Sequence, residues 1–146
     1  MSLTKVTTSM IDTAAVNIYY PDDYWNGTED YGLAINRAIA LARPLKCGEI
    51  RFTRSALITT PINATGLQNI IFKGYGGVLT GGATVLTGSC SGAFFDCTGS
   101  DNLTFYDVTI AGDINNPPDC GILLARGTAV SVLHLFQGCR CVFLCV

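Results

Sequence analysis

Apolar and small residues at Tyr31, Ala34, Ile35, Ala38, Ile39 and Ala42 fall at i, i+3, i+4, i+7, i+8 and i+11, the stripe of a single helical face. This spacing predicts a helix from about Thr28 to Arg43. Thr28 is the expected N-cap, its hydroxyl placed to accept a bond from an orphan N–H. Glu29 and Asp30 put negative charge at the positive end of the helix dipole, Arg37 and Arg43 lie toward the other end, and Pro44 stops the helix. From Gly48 the period changes. Glu49-Ile50-Arg51-Phe52-Thr53 alternates apolar and polar residues at the strand repeat. Further short runs follow, separated by Gly, Asn, Asp and Ser: Leu57–Thr60, Asn69–Lys73, Val78–Leu79, Thr84–Leu86, Ala93–Cys97, Leu103–Tyr106, Val108–Ala111, Ile122–Ala125, Val130–Leu135 and Val142–Leu144. Short strands at even spacing point to a barrel, a sandwich or a solenoid.

An internal repeat selects the solenoid. Thr65-Gly66-Leu67-Gln68-Asn69-Ile70-Ile71-Phe72 parallels Thr98-Gly99-Ser100-Asp101-Asn102-Leu103-Thr104-Phe105 at an offset of 33 residues. A second echo sets Gly92-Ala93-Phe94-Phe95 against Gly121-Ile122-Leu123-Leu124 at an offset of 29. Offsets of roughly 20–50 residues mark stacked repeats. On this reading Asn69 and Asn102 stack at equivalent corners. The amphipathic helix is a cap laid over the open apolar end of the stack, where bare strand edges would otherwise aggregate.

The turn Asn26-Gly27-Thr28-Glu29-Asp30, the Ala/Ile-rich helix and the following Gly48-Glu49-Ile50-Arg51-Phe52 resemble the opening of the pectate-lyase-like right-handed β-helix found in bacteriophage tailspike and tail fibre proteins. Leu3 to Ile11 resembles the short neck that precedes this helix in phage tail proteins. The likeness covers about the first third of the chain; the remainder shares only a style of repeat. Two features depart from it. Arg54-Ser55-Ala56 stands where the family has a Pro-Pro-Gly turn, and Ile18 to Trp25 replaces the family's Asp-Phe-Gly-Ala stretch.

The resemblance implies a mainly β chain: a short right-handed parallel β-helix with an N-terminal capping α-helix. The expected divisions are an arm or neck at 1–15, a linker and capping helix at 16–47, and the β-helix at 48–146. The implied role is structural, a virion segment joining the phage tail to a host-facing shaft as a homotrimer, assembled in the bacterial cytoplasm. Other tail proteins and host surface polysaccharide are the implied partners. The alternatives are an N-terminal fragment of a polysaccharide depolymerase, lyase or hydrolase, or a carbohydrate-binding module.

Composition limits the other classes. Hydrophobic residues make up 49% and charged residues 14% of 146, so part of the surface is expected to be covered by another copy or protein. A net charge of −2 gives no electrostatic reason to expect nucleic acid. No run approaches the ~20 apolar residues of a membrane span, and Met1 is followed by polar sequence rather than a signal core. The almost wholly apolar stretch Val130 to Val146 lacks a polar capping face, so a longer chain or a partner is expected to cover it.

Seven cysteines (Cys47, Cys90, Cys97, Cys120, Cys139, Cys141 and Cys145) without a secretion signal read as reduced, buried thiols. Cys139-x-Cys141 is too tight for a zinc knuckle, and no metal or cofactor is expected. Asp96 and Asp107 are the best-placed carboxylates for glycoside chemistry, which needs a carboxyl pair. Aspartates at corners more often bond the turn backbone, however, and no catalytic residue is assigned. His134, in an apolar run, reads as structural. Tyr19, Tyr20, Tyr24 and Trp25, around Pro21-Asp22-Asp23, are the candidate contact residues. Such a cluster serves as a structural plug or subunit contact, or stacks on sugar faces.

Overall fold

The computed structural model describes residues 17–75 and 84–124, with the strand backbone alone at 130–132, 136–137 and 143–145. The arm Met1–Ala15, the run Val78–Leu79, and Arg126, His134, Cys139, Arg140 and Cys141 lie outside the described residues.

The chain is mainly β and its sheets are parallel. β1 (Ile18–Tyr19) precedes helix α1 (Tyr31–Ala42). Then come β2 (Gly48–Arg51), β3 (Ala56–Ile58), β4 (Ile62–Asn63), β5 (Ile70–Lys73), β6 (Thr84–Gly88), β7 (Ala93–Asp96), β8 (Leu103–Tyr106), β9 (Val108–Gly112), β10 (Cys120–Leu124), β11 (Val130–Val132), β12 (Phe136–Gln137) and β13 (Phe143–Cys145). From β2 onward each strand pairs in parallel with the strand three places later. Sheet 1 is β1-β2-β5-β8-β11, sheet 2 is β3-β6-β9-β12 and sheet 3 is β4-β7-β10-β13. Successive triplets of strands therefore form tiers that each give one strand to every sheet.

The register follows the apolar alternation. Ile50, Phe72 and Phe105 are partners in sheet 1 and all face inward. Ile62, Phe95 and Ile122 make the matching row in sheet 3, and Ala56, Leu86 and Ile110 that in sheet 2. Phe72 stacks on Phe105 with centroids 4.8 Å apart, and Phe95 meets both rings edge-on at 5.6 and 5.4 Å. Parallel sheets bury well because every tier repeats the same inward positions. Gly88 belongs to this packing: a Cβ there would stand 2.7 Å from the Phe94 ring.

The repeat at 33 residues is realised in the register, where Ile71 lies opposite Thr104 and Phe72 opposite Phe105. The corner before these strands repeats as well. Asn69 and Asn102 both adopt left-handed backbone, φ 51° and 52°, which asparagine tolerates better than most residues. Asn102 Nδ2 donates to Asn69 Oδ1 at 2.8 Å, and Asn69 Nδ2 donates to the Lys46 carbonyl at 3.0 Å. Beneath them Ser100, 1% exposed, accepts from the Leu67 N–H at 3.0 Å and donates to the Ala64 carbonyl. The second echo needs correction. Ala93 lies opposite Cys120 and Phe95 opposite Ile122, an offset of 27 rather than 29. A two-residue slip keeps side chains on the same face, so the pattern alone did not distinguish the two registers.

Helix α1 buries Tyr31, Ala34, Ile35, Ala38, Ile39 and Ala42, the expected stripe. Its start is corrected: the N-cap position is Asp30, not Thr28. Asn26 Oδ1 accepts from the N–H groups of Thr28 and Glu29 at 3.0 and 2.9 Å, which holds that stretch in a turn ahead of the helix. At the other end a 3-10 turn, Arg43–Leu45, takes in Pro44. β3 and β4 are the terminal strands of their sheets, and α1 supplies the bonds their neighbourhood lacks. Asp30 accepts from the N–H groups of Thr59 and Thr60, each at 2.9 Å. Asn36 donates to the Pro61 carbonyl at 3.0 Å and accepts from the Asn63 N–H at 2.8 Å. Arg43 donates to the carbonyls of Thr65 and Asn63. In sheet 1, β1 itself covers β2. Gly32 lets the helix sit this close, since a Cβ there would lie 2.7 Å from Ile58 Cγ2 and 2.8 Å from the Thr60 carbonyl oxygen.

Candidate functional site

Pro21 is buried and opens a 3-10 turn, Pro21–Tyr24. This turn brings Asp22 against the first tier. Asp22 Oδ2 accepts from the Tyr31 hydroxyl at 2.9 Å and from the Thr53 hydroxyl. Asp22 Oδ1 makes no well-directed hydrogen bond, yet Arg54 Nε stands 2.5 Å away, so this oxygen is ion-paired rather than orphaned. Burial alone would raise the Asp22 pKa. The Thr53 and Tyr31 hydroxyls and the Arg54 charge together outweigh it and hold the carboxyl below its ordinary range. Burial, and then the bond to Asp22, push the Tyr31 phenol upward.

The Arg54 guanidinium carbon lies 4.5 Å from the Trp25 ring centre and 5.8 Å from that of Tyr31. Trp25 meets Tyr31 edge-on at 5.6 Å, and its indole N–H donates to the Glu29 carbonyl at 2.8 Å. Arg37 pairs with the Glu29 carboxylate and donates to the Tyr24 carbonyl at 2.9 Å. Tyr20 takes a bond from Arg51 Nη1 at 3.2 Å, and Arg51 pairs with the nearly buried Glu49.

The four aromatic candidates therefore do not form one platform. Tyr19, Tyr24 and Trp25 pack against the core, whereas Tyr20 lies with Arg51. Asp22, Thr53, Arg54 and Arg51 complete the constellation. A signal for the two arginines was present, because Arg51 ends β2 and Arg54 lies three residues beyond it. The arrangement fixes the entry segment to the first tier by charge-assisted bonds.

The aspartates of the repeat zone are dispersed. Asp96 is on β7, and its Oδ1 accepts from the Thr98 N–H at 3.0 Å, a turn bond. Asp107 occupies the corner between β8 and β9 at φ 53°. Asp113 Oδ1 accepts from the Asn115 N–H at 3.1 Å. Among the described residues no group of three His, Cys, Asp or Glu side chains could hold a metal ion, and no helix is long and apolar enough to cross a membrane. Cys90, Cys97 and Cys120 are buried as expected, whereas Cys47 is exposed, which corrects the reading of that residue. Burial, with Asp96 and Cys120 nearby, pushes the Cys97 thiol up to about 12. Compared with protein-family models, curated proteins and solved structures, the chain has no match.

Proposed function

We propose that the chain is a helix-roofed, right-handed parallel β-helix that serves as a structural segment of a phage tail fibre or tailspike, trimeric in the particle and joining the tail to a host-facing shaft. The observation that carries this reading is the parallel pairing of every third strand, with α1 and its N-cap Asp30 bonded to the link between β3 and β4 and to β4 itself. It is supported by the turn Asn26 to Asp30 and the segment Leu3 to Ile11, which resemble the entry region of phage tail proteins. Aspartates engaged in turns, as Asp96 and Asp113 are, suit a scaffold better than a hydrolase.

The test has two parts. Light scattering on the purified chain should give the mass of a trimer, and peptides from the chain should be found in purified tailed particles. A monomer that is absent from particles overturns the proposal. Cleavage of a surface polysaccharide by the isolated chain replaces it with the depolymerase reading.

A further inference from the structure

Helix α1 is apolar on the side it turns away from the sheets as well as on the side it buries. Leu33 and Leu41 are 39% and 47% exposed, and Leu45, in the 3-10 turn that continues the helix, is 50% exposed. With Arg37 they follow one another every four residues, so they form one row along the outer surface. Arg37 is the one charged residue in the sequence Tyr31–Ala42, and its guanidinium is drawn aside to the Glu29 carboxylate and the Tyr24 carbonyl. What it leaves in the row is its aliphatic stem. Arg43 is likewise turned to the carbonyls of Thr65 and Asn63. A surface helix ordinarily keeps a polar or charged outer face, and one that is apolar all round is buried all round.

The segment placed to reach this row belongs to the same chain. Asn17 is the first described residue. Its carbonyl accepts from the Glu49 N–H at 2.8 Å, and its side-chain amide lies 3.9 Å from Cys47 Sγ. β1 runs parallel to β2 with Ile18 opposite Glu49, so the residues before Asn17 arrive at the end of β2 that follows Leu45. From Leu33 to Leu45 the row is about 18 Å long at ~1.5 Å per residue. Extended chain covers that length in about six residues at ~3.3 Å each. Sixteen residues precede Asn17 in the sequence; they include Leu3, Val6, Met10, Ile11 and Val16, and their charged side chains, Lys5 and Asp12, cancel.

We infer that the segment Met1 to Val16 folds back over α1 and covers Leu33, Leu41 and Leu45. A second copy is the poorer occupant. A strip about 18 Å by about 10 Å falls far short of the ~800 Å² per partner of a stable interface. A tethered segment, by contrast, covers the row without bringing two molecules together. The inference does not depend on the virion assignment.

Photo-crosslinking of the whole chain tests it, with p-benzoylphenylalanine placed at position 41 and light and ¹⁵N-labelled chains mixed before irradiation. Peptide mapping should find position 41 joined to residues 1–16 of the same isotope. Links between light and heavy chains put a second copy on the row and overturn the inference, as does the absence of any link to residues 1–16. Limited trypsin digestion gives an independent readout. Cleavage after Lys5 should run about tenfold faster in Leu41→Asp and in Leu45→Asp than in the parent, because the segment is then released. Leu57→Asp, at a 58% exposed leucine on sheet 2, should be cut at the parental rate. Circular dichroism confirms that each variant is folded. Parental cleavage rates in both Leu41→Asp and Leu45→Asp refute the docking.

Discussion

Gly32→Ala reverses the sign expected from helix propensity. Gly32 lies within α1, where replacing glycine by alanine ordinarily stabilises by up to ~1 kcal/mol. Here the new methyl would meet Ile58 Cγ2 at 2.7 Å, Asp30 Oδ2 at 2.7 Å and the Thr60 carbonyl oxygen at 2.8 Å. Ordinary contact begins near 3.4 Å, so the helix must rise by about 0.7 Å or β3 must give way. The Thr60 segment is held by its own N–H bond to Asp30, and lifting the helix stretches the two 2.9 Å bonds from Asp30 to Thr59 and Thr60. Overpacking of this kind costs ~1–3 kcal/mol. Weakening a hydrogen bond to a charged group adds ~1.5 kcal/mol. Set against the propensity gain, the net loss is about 1.5–3.5 kcal/mol. Urea titration followed by circular dichroism should show a lower midpoint with an unchanged slope. Ala40→Gly on the exposed side of α1 is the comparison, and propensity alone should cost it ~1 kcal/mol. A Gly32→Ala protein as stable as the parent, or more so, refutes the close seating of the helix on β3.

Ser100→Ala should cost ~1–3 kcal/mol in the same titration, because it strands the buried Leu67 N–H and Ala64 carbonyl. Asn69→Ala should cost ~2 kcal/mol by losing its bonds to Asn102 and Lys46 at a left-handed position, whereas Asn69→Gly should recover ~1 kcal/mol of that by removing the backbone strain. Acid should destabilise the entry region. At Asp30, as at Asp22, burial opposes the charge but is outweighed, there by the Thr59 and Thr60 donors, so both folded carboxyls lie below their ordinary range. The unfolded chain therefore takes up these protons first: their contribution is complete above about pH 4 and is lost as pH falls through the lower folded values. Urea midpoints measured down to pH 2 should fall in the parent and fall less steeply in Asp22→Asn and Asp30→Asn, each compared with its own neutral value.

What could be read beforehand was whatever repeats. The buried stripe of α1 follows a single period, and the Thr-Gly corners with Asn69 and Asn102 follow a tier length, so both stand in the structure where the pattern placed them. Features set by one contact were not legible. Asp30 looks like any acidic residue at a helix start until its carboxylate is seen bonded to Thr59 and Thr60. Arg43 reads as a cation at the helix's negative end and Asn36 carries no pattern, yet both bond main-chain groups in or beside β4. β1 and β4 are two residues long and carry no alternation to detect. Tyr19 and Tyr20 are adjacent in sequence but divide between the core and Arg51, because neighbours on extended chain point to opposite faces, whereas Tyr24 and Trp25 both reach the core from the end of the 3-10 turn.

Asp30, Asn36 and Arg43 bond main-chain groups of the segment from Thr59 to Thr65, and Asp30 also bonds the Thr59 and Thr60 side chains. An end fitting that asks for little beyond backbone and two hydroxyls is transferable. Residues 17–47 spliced ahead of unrelated parallel strands with the same corner geometry, hydroxyl residues at the Thr59 and Thr60 positions and a side chain no larger than Ile58 facing Gly32 should seat there and stop two such assemblies from joining end to end. That makes this element a part for closing engineered strand repeats at a chosen end.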